Sequence, residues 1–175
     1  MTAMICMAMM LVASPGMFTI HADVRDSVRL GADIADARAY LKDQEVFRRH
    51  FPGILGIRRI SATQSEWTYE VKPPLSGARR TTYLVNERQA DSCTTVLETD
   101  PGSDDYFYCR ATIAPAPGAG TMLTLELKLR STREHGSDIH FLAPLFGENF
   151  ISARMREQLM DDLSTFFRRI TDELP

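Results

Sequence analysis

The side chains that could act as acids, bases, nucleophiles or metal ligands are few in this sequence, and they are scattered. Its four histidines are His21, His50, His135 and His140. No two have the i, i+4 spacing of a helical metal site, and the sequence lacks phosphate-loop, dinucleotide-binding, nucleophile-elbow and H-E-x-x-H motifs. We therefore expect no metal ion and no cofactor, and no motif makes a positive case for an enzyme. His50, next to Phe51-Pro52, is the histidine that we would test first.

The three cysteines are too few for a disulfide scaffold and lack C-x-x-C spacing. They are Cys6, Cys93 and Cys109. A turn centred near Pro101 would place Cys93 and Cys109 opposite each other on successive strands. A bridge between them is open if the chain is exported, since disulfides persist in oxidising compartments. In the cytoplasm we expect two reduced, partly buried thiols.

Length and composition indicate one ordinary globular domain. The chain has 175 residues, of which 44% are hydrophobic and 25% are charged. The net charge of −3 gives no basic surface for a nucleic acid, so we expect no such partner.

The first residues differ from the rest of the chain. Residues 1–20 carry no charged side chain, and the apolar run Ala3–Leu11 is shorter than the roughly 20 residues of a transmembrane helix. Three interpretations stay open: an upstream over-extension with translation starting at Met17, a secretory signal cut near Ala22, and a retained tail. We favour the first, and assign 1–16 to a leader or mis-assigned extension and 17–175 to the domain. The expected location is cytoplasmic, or exported if residues 1–22 are a signal peptide.

Alternating apolar and polar residues predict a run of strands. They cover Phe18–Leu30, Ile54–Ile60, Trp67–Val71, Arg80–Arg88, Cys93–Thr99, Tyr106–Ile113 and Met122–Arg130. Two short helical segments follow the first strand, namely Ile34–Leu41 and a turn through Val46 and Phe47 that ends before Pro52. Residues 131–148 are expected to be rich in loops. The C-terminal Asn149–Leu174 has apolar residues every three or four positions, which predicts a long amphipathic helix.

This order of elements predicts an α+β fold, in which a curled antiparallel sheet of six to seven strands grips one long C-terminal helix. A sheet of that size curls because strand twist accumulates. The apolar stripe of the helix is most economically buried on the concave face. Where helix and sheet diverge, a cavity suited to a small ligand is expected.

The chain resembles a known superfamily in this order and in several segments. These are Ser27–Leu41, Phe51-Pro-Gly-Ile54, Gly120–Leu127 and the terminal helix. Together they resemble the START-like helix-grip superfamily, also called SRPBCC, over about Met17 to Leu174. The branch named after carbon monoxide dehydrogenase and the coenzyme Q-binding branch are the most similar. The resemblance implies an apolar pocket used for lipids, quinones, polyketides or hormones, and in some members for catalysis.

A set of aromatic and apolar residues on the predicted inner faces forms our candidate ligand pocket. It consists of Trp67, Tyr69, Tyr83, Phe107, Leu125, Met155 and Leu159. The plain alternative is that these residues only fill the core. We expect a binding or carrier protein for a small hydrophobic molecule, such as a lipid, a quinone or an aromatic polyketide-like compound.

Two other functions stay open. A cyclase or dehydratase could use the same cavity, with His50, Tyr69 or Tyr83 as its polar group. A non-enzymatic assembly or maturation factor would work through its surface, and a filled cavity would favour it. A protein partner also stays open, while no transmembrane span is expected.

Overall fold

The computed structural model describes residues 17–71, 78–139 and 143–175. The expected leader at 1–16, with Cys6, and also His140 lie outside the described residues.

The described residues form seven strands and three α-helices. The strands are β1 Phe18–Leu30, β2 Ile54–Arg59, β3 Gln64–Val71, β4 Arg79–Asp91, β5 Thr94–Glu98, β6 Asp105–Pro115 and β7 Thr121–Arg133. The helices are α1 Ile34–Lys42, α2 Glu45–His50 and α3 Ala143–Glu173, and a short 3₁₀ helix spans Gly136–Asp138. This confirms the predicted α+β class, with two short helices after the first strand.

All strands belong to one antiparallel sheet with the order β1-β7-β6-β5-β4-β3-β2. The sheet is curled and open, as strand twist requires over this many strands. β1 and β7 pair along their whole length, from Phe18 opposite Arg133 to Leu30 opposite Thr121. β7 therefore runs past Arg130, where the alternation predicted its end, because the start of β1 continues to offer it a partner.

Local signals explain the two short helices. The Asp33 side chain accepts a hydrogen bond from the backbone N–H of Asp36 at 2.9 Å and so caps α1. α2 ends at His50, because Pro52 disfavours helical geometry at Phe51. The chain then turns directly into β2.

The long helix buries the stripe that its periodicity predicted. Its buried residues include Ile151, Met155, Leu159, Leu163, Phe166, Phe167 and Ile170. α3 starts at Ala143, earlier than predicted, but Gly147 has φ 76° and ψ 165° and interrupts the helix. That positive φ suits glycine, so the regular helix begins after it.

Hydrogen bonds fasten the first turns of α3 to the exposed edge of β1. Glu148 Oε1 accepts from the Thr19 N–H at 2.6 Å, and Ser152 Oγ accepts from the His21 N–H at 3.1 Å. Glu148 and Ser152 are one helical turn apart, and they match alternate residues of the strand. The edge is therefore covered and the helix is aligned over the sheet.

The expected pairing of the two later cysteines is wrong. Cys109 lies opposite Leu97, whereas the Cys93 carbonyl accepts from the Ile113 N–H at 2.8 Å. The β5–β6 connection is centred on Ser103 rather than Pro101, which displaces the partners along the strand. Cys93 and Cys109 are both free thiols in the described part of the chain.

Candidate ligand-binding site

A small cavity lies between the inner face of the sheet, α2 and α3, and we call it the aromatic cavity. About 20 Å³ of it is open to the centre of a water-sized sphere. It is lined by Phe47, Phe51, Ile54, Trp67, Tyr69, Tyr83, Phe107, Cys109, Leu127, Leu129 and Leu159. No charged side chain belongs to this lining among the described residues.

Strand register brings the walls of the aromatic cavity together. Trp67 on β3 lies opposite Tyr83 on β4. On the other side, Phe107 and Cys109 of β6 lie opposite Leu129 and Leu127 of β7. Because side chains alternate along a strand, each of these pairs presents two neighbouring side chains to the same face.

The aromatic rings form a connected cluster around the cavity. Phe47 stacks on Phe166 with 5.3 Å between ring centroids, and its ring is tilted against Trp67 at 5.6 Å. Phe107 contacts both Trp67 and Tyr83, with centroids 5.6 Å apart in each case. α2 therefore supplies the ring that joins the sheet side of the cavity to α3.

The structure brings most of the predicted pocket residues to the aromatic cavity. Trp67, Tyr69, Tyr83, Phe107 and Leu159 line it, while Leu125 and Met155 are buried but do not. Leu125 pairs with Ala111, one step along the same face from the cavity wall. Met155 lies one turn before Leu159 on α3. The role of all seven in ligand binding stays a prediction.

Sequence reasoning missed several residues of the wall. They are Phe47, Phe51, Ile54, Cys109, Leu127 and Leu129. Cys109 shares the parity of Phe107, and the two leucines share the stripe of Leu125, so a pairing register would have found them. Phe47 and Phe51 are four residues apart, and only the docking of α2 shows where they point.

The polar atoms of the aromatic cavity are held neutral. Burial, reinforced by the Asp162 carboxylate, raises the pKa of Tyr69 well above its usual range, and the Tyr69 hydroxyl donates to Asp162 Oδ2 at 2.8 Å. Burial likewise raises the pKa of Tyr83, and it raises the pKa of the Cys109 thiol to about 12. These groups therefore stay protonated near neutral pH.

Gly53 sets the position of Tyr69. A Cβ atom on Gly53 would stand 2.0 Å from Tyr69 Cε2, so only glycine leaves room for the ring at this point. The Phe51 ring lies on the same side, with its centroid 6.3 Å from that of Tyr69. The Phe51-Pro-Gly-Ile54 segment thus positions one wall of the cavity.

His50 lies outside the lining of the aromatic cavity. Its Nε2 is 3.1 Å from the Tyr40 hydroxyl and 3.2 Å from Glu173 Oε1, and the Tyr40 hydroxyl donates to Glu173. The hydrogen bond from Tyr40 lowers the pKa of Glu173, and the charge of His50 adds to that effect. His50 therefore joins α1, α2 and the end of α3, and its position does not support a catalytic role in the cavity.

The described residues hold no group of three His, Cys, Asp or Glu side chains arranged for a metal ion. Over the same parts of the chain, no helix has the length and apolar character needed to cross a membrane.

Solved structures share this architecture. A START superfamily protein from Mycobacterium smegmatis has a TM-score of 0.63 at 14% identity, and a protein from Deinococcus radiodurans has 0.59 at 21%. Each match covers 87% of this chain and 99% of the other chain. The Zhui aromatase/cyclase from a Streptomyces species has a TM-score of 0.60 at 12% identity, covering 89% of this chain and 96% of its own.

No protein-family model matches the sequence, and no curated protein matches it. The similarity to the carbon monoxide dehydrogenase and coenzyme Q-binding branches stays a prediction from resemblance. At 12 to 21% identity, the structural matches establish the fold alone. The curled seven-stranded sheet, its two short helices and the gripped α3 show that this chain has the START-like helix-grip fold.

Proposed function

We propose that this protein binds a small hydrophobic molecule in the aromatic cavity beneath α3. The carrying observation is a space enclosed by aromatic and aliphatic side chains inside a helix-grip fold. A buried water needs two to four polar partners, and this lining does not offer them. An apolar ligand would fill the space without displacing a bound water, and it would gain dispersion contacts with the rings.

The ligand must widen the cavity, because 20 Å³ is space for little more than a water molecule. Phe47 and Leu159 are the side chains best placed to move. Phe47 belongs to the six-residue helix α2, and Leu159 is the one residue of α3 in the described lining. We propose that ligand entry displaces these two side chains while the sheet wall stays in place.

The fold neighbours support this proposal through their own names, which describe a START superfamily protein and an aromatase/cyclase. Between binding and catalysis, the cavity favours binding. Its lining contains no carboxylate and no histidine within the described chain, and its tyrosine hydroxyls stay protonated. A general base for cyclisation or dehydration is therefore missing from this lining.

The test uses N-phenyl-1-naphthylamine, a neutral dye whose emission rises in apolar surroundings. Trp67 is the only tryptophan of the chain and lines the cavity, so energy transfer from Trp67 to the dye reports binding at this place. We expect saturable binding to the wild-type chain. Leu159→Phe should fill the cavity and weaken binding at least tenfold, while the matched Leu84→Phe should not.

Leu84 is a suitable control because it is half exposed on β4, next to the inward-facing Tyr83. Saturable binding that survives unchanged in Leu159→Phe would refute the proposed site. Absence of saturable binding to the wild-type chain would refute the proposed function.

An assembly or maturation role carried by the surface is the second candidate. Leu145, Phe146 and Phe150 near the start of α3 are exposed, and the rings of Phe146 and Phe150 stack at 4.9 Å. Exposed apolar clusters of this kind mark interaction surfaces. This candidate predicts that Leu159→Phe complements a deletion strain and that Phe150→Ser does not, whereas a ligand-binding function predicts the reverse.

A further inference from the structure

A second space, which we call the polar pocket, lies beside the aromatic cavity on the same inner face. It has about 30 Å³ open to the centre of a water-sized sphere. It is lined by Arg38, Leu41, Lys42, Gln44, Phe47, Glu87, Gln89, Thr95, Leu97, Ala111 and Ile113.

Phe47 stands between the two spaces, since its ring belongs to both linings. β6 also runs beneath both. Its inward residues Phe107 and Cys109 line the aromatic cavity, and the next two, Ala111 and Ile113, line the polar pocket. A rotation of the Phe47 side chain would therefore connect the two spaces into one elongated site along β6.

The polar pocket contains a buried hydrogen-bond acceptor without a donor. Gln44 is only 8% exposed, and its Nε2 donates to Glu87 Oε2 at 2.7 Å. That hydrogen bond fixes the orientation of the amide and leaves Oε1 buried, with no partner among the described residues. Burying an unpaired polar atom costs roughly 1–3 kcal/mol, so native proteins rarely leave one empty.

A donor without an acceptor lines the same pocket. The Nε–H of Arg38 is buried and has no hydrogen-bond partner within the described parts of the chain. The other end of this guanidinium is engaged, because Nη2 lies 3.7 Å from Cys93 Sγ. The polar pocket thus presents one unpaired acceptor and one unpaired donor next to the opening at Phe47.

We propose that the polar pocket binds a hydroxyl group of the ligand whose aromatic body occupies the aromatic cavity. A hydroxyl can donate to Gln44 Oε1 and accept from Arg38 Nε–H at the same time. A carboxylate has no proton to donate to Gln44, and an ammonium group has no lone pair for Arg38. The ligand class is therefore a hydroxylated aromatic compound, and this inference rests on the proposed function.

The test compares 2-naphthol with naphthalene, which differ by a single hydroxyl, using quenching of Trp67 and calorimetry at neutral pH. We expect the wild-type chain to bind 2-naphthol about tenfold more tightly than naphthalene, because the hydroxyl pairs two buried polar groups. Gln44→Met and Arg38→Met should each reduce this preference to near unity and leave naphthalene binding unchanged.

Gln89→Met is the matched control. Gln89 also lines the polar pocket, but its Nε2 already donates to the Asp91 and Thr94 carbonyls at 2.6 and 3.0 Å, and its Oε1 accepts from Thr95 Oγ1 at 3.1 Å. The preference for 2-naphthol should persist in this variant. Thermal unfolding of each variant checks that it is folded, and the two independent substitutions test the two partners separately.

The outcomes separate the two proposals. Equal affinity of the wild-type chain for both compounds overturns the inference and leaves the proposed function standing. So does a preference that survives both Gln44→Met and Arg38→Met. A crystal structure of the naphthol complex in which waters alone contact Gln44 and Arg38 also overturns it. Failure of both compounds to bind refutes the proposed function itself.

Discussion

Phe47 separates two regions of one sheet face that differ in chemistry more than in size. The aromatic cavity and the polar pocket hold about 20 and 30 Å³ of free space, and β6 floors both. Charged side chains are absent from the described lining of the first, whereas Arg38, Lys42 and Glu87 line the second. The aromatic cavity can supply burial but little direction, and the polar pocket can supply direction.

The two regions also contribute differently to stability. Around the aromatic cavity, packed rings such as Trp67 and Phe166 stabilise the fold through burial. In the polar pocket, the unpaired Gln44 Oε1 and Arg38 Nε cost stability. A region that lowers stability without packing benefit is the pattern expected of a functional site. This contrast makes distinct predictions for substitutions on the two sides.

The largest expected effect is on the aromatic side. Phe166 is fully buried and its ring contacts Phe47, Phe51 and Phe167. Phe166→Ala should lower the free energy of unfolding by about 3–5 kcal/mol, as measured by urea denaturation. Phe150→Ala, at a half-exposed position of the same helix, should cost less than about 1 kcal/mol. Equal losses in the two variants would contradict the contrast.

An intermediate effect is expected for the two thiols, which report on the two regions. Cys109 lines the aromatic cavity, and burial raises its pKa to about 12, whereas Cys93 is partly exposed beside Arg38. In a Cys6→Ser background, a maleimide should label Cys93 on the order of 100-fold faster than Cys109. Peptide mass spectrometry measures both rates. Similar rates would show that the aromatic cavity opens readily.

The smallest effect is expected on the polar side. Gln44→Met removes a buried acceptor that has no donor among the described residues, and it also removes the hydrogen bond to Glu87. These contributions oppose each other, so the free energy of unfolding should change by less than about 1 kcal/mol. Thermal and urea unfolding measure the change. A loss as large as that of Phe166→Ala would show that Gln44 is structural.

Much of the aromatic cavity could be predicted because its residues belong to regular elements. Trp67 and Tyr69 share a parity on β3, and Leu159 belongs to the helical stripe of α3, so periodicity alone placed them on the buried side. Leu125 and Met155 show the limit of this reasoning. Periodicity identifies the face of an element, but the position along that face depends on pairing register and helix docking.

The misplaced cysteine pair has the same origin. Alternation cannot show whether the β5–β6 turn is centred on Pro101 or on Ser103, and each residue of displacement moves the facing partner by two. Backbone pairing decided it, since Thr99 N–H still donates to the Phe107 carbonyl. Short helices pose a similar problem, because the sequence of α2 predicts a helical turn without showing which neighbours Phe47 and Phe51 will meet.

The sequence by itself determined the α+β class, the succession of elements and the buried stripe of α3, because these follow from local periodicity and from Pro, Gly and capping signals. The tertiary structure alone decided that Phe47 divides the inner face, and that Gln44 and Arg38 lie beside it with atoms left unpaired. A missing hydrogen-bond partner is a relation among residues distant in the chain. It depends on how α1, α2 and the sheet dock, and no local pattern encodes it.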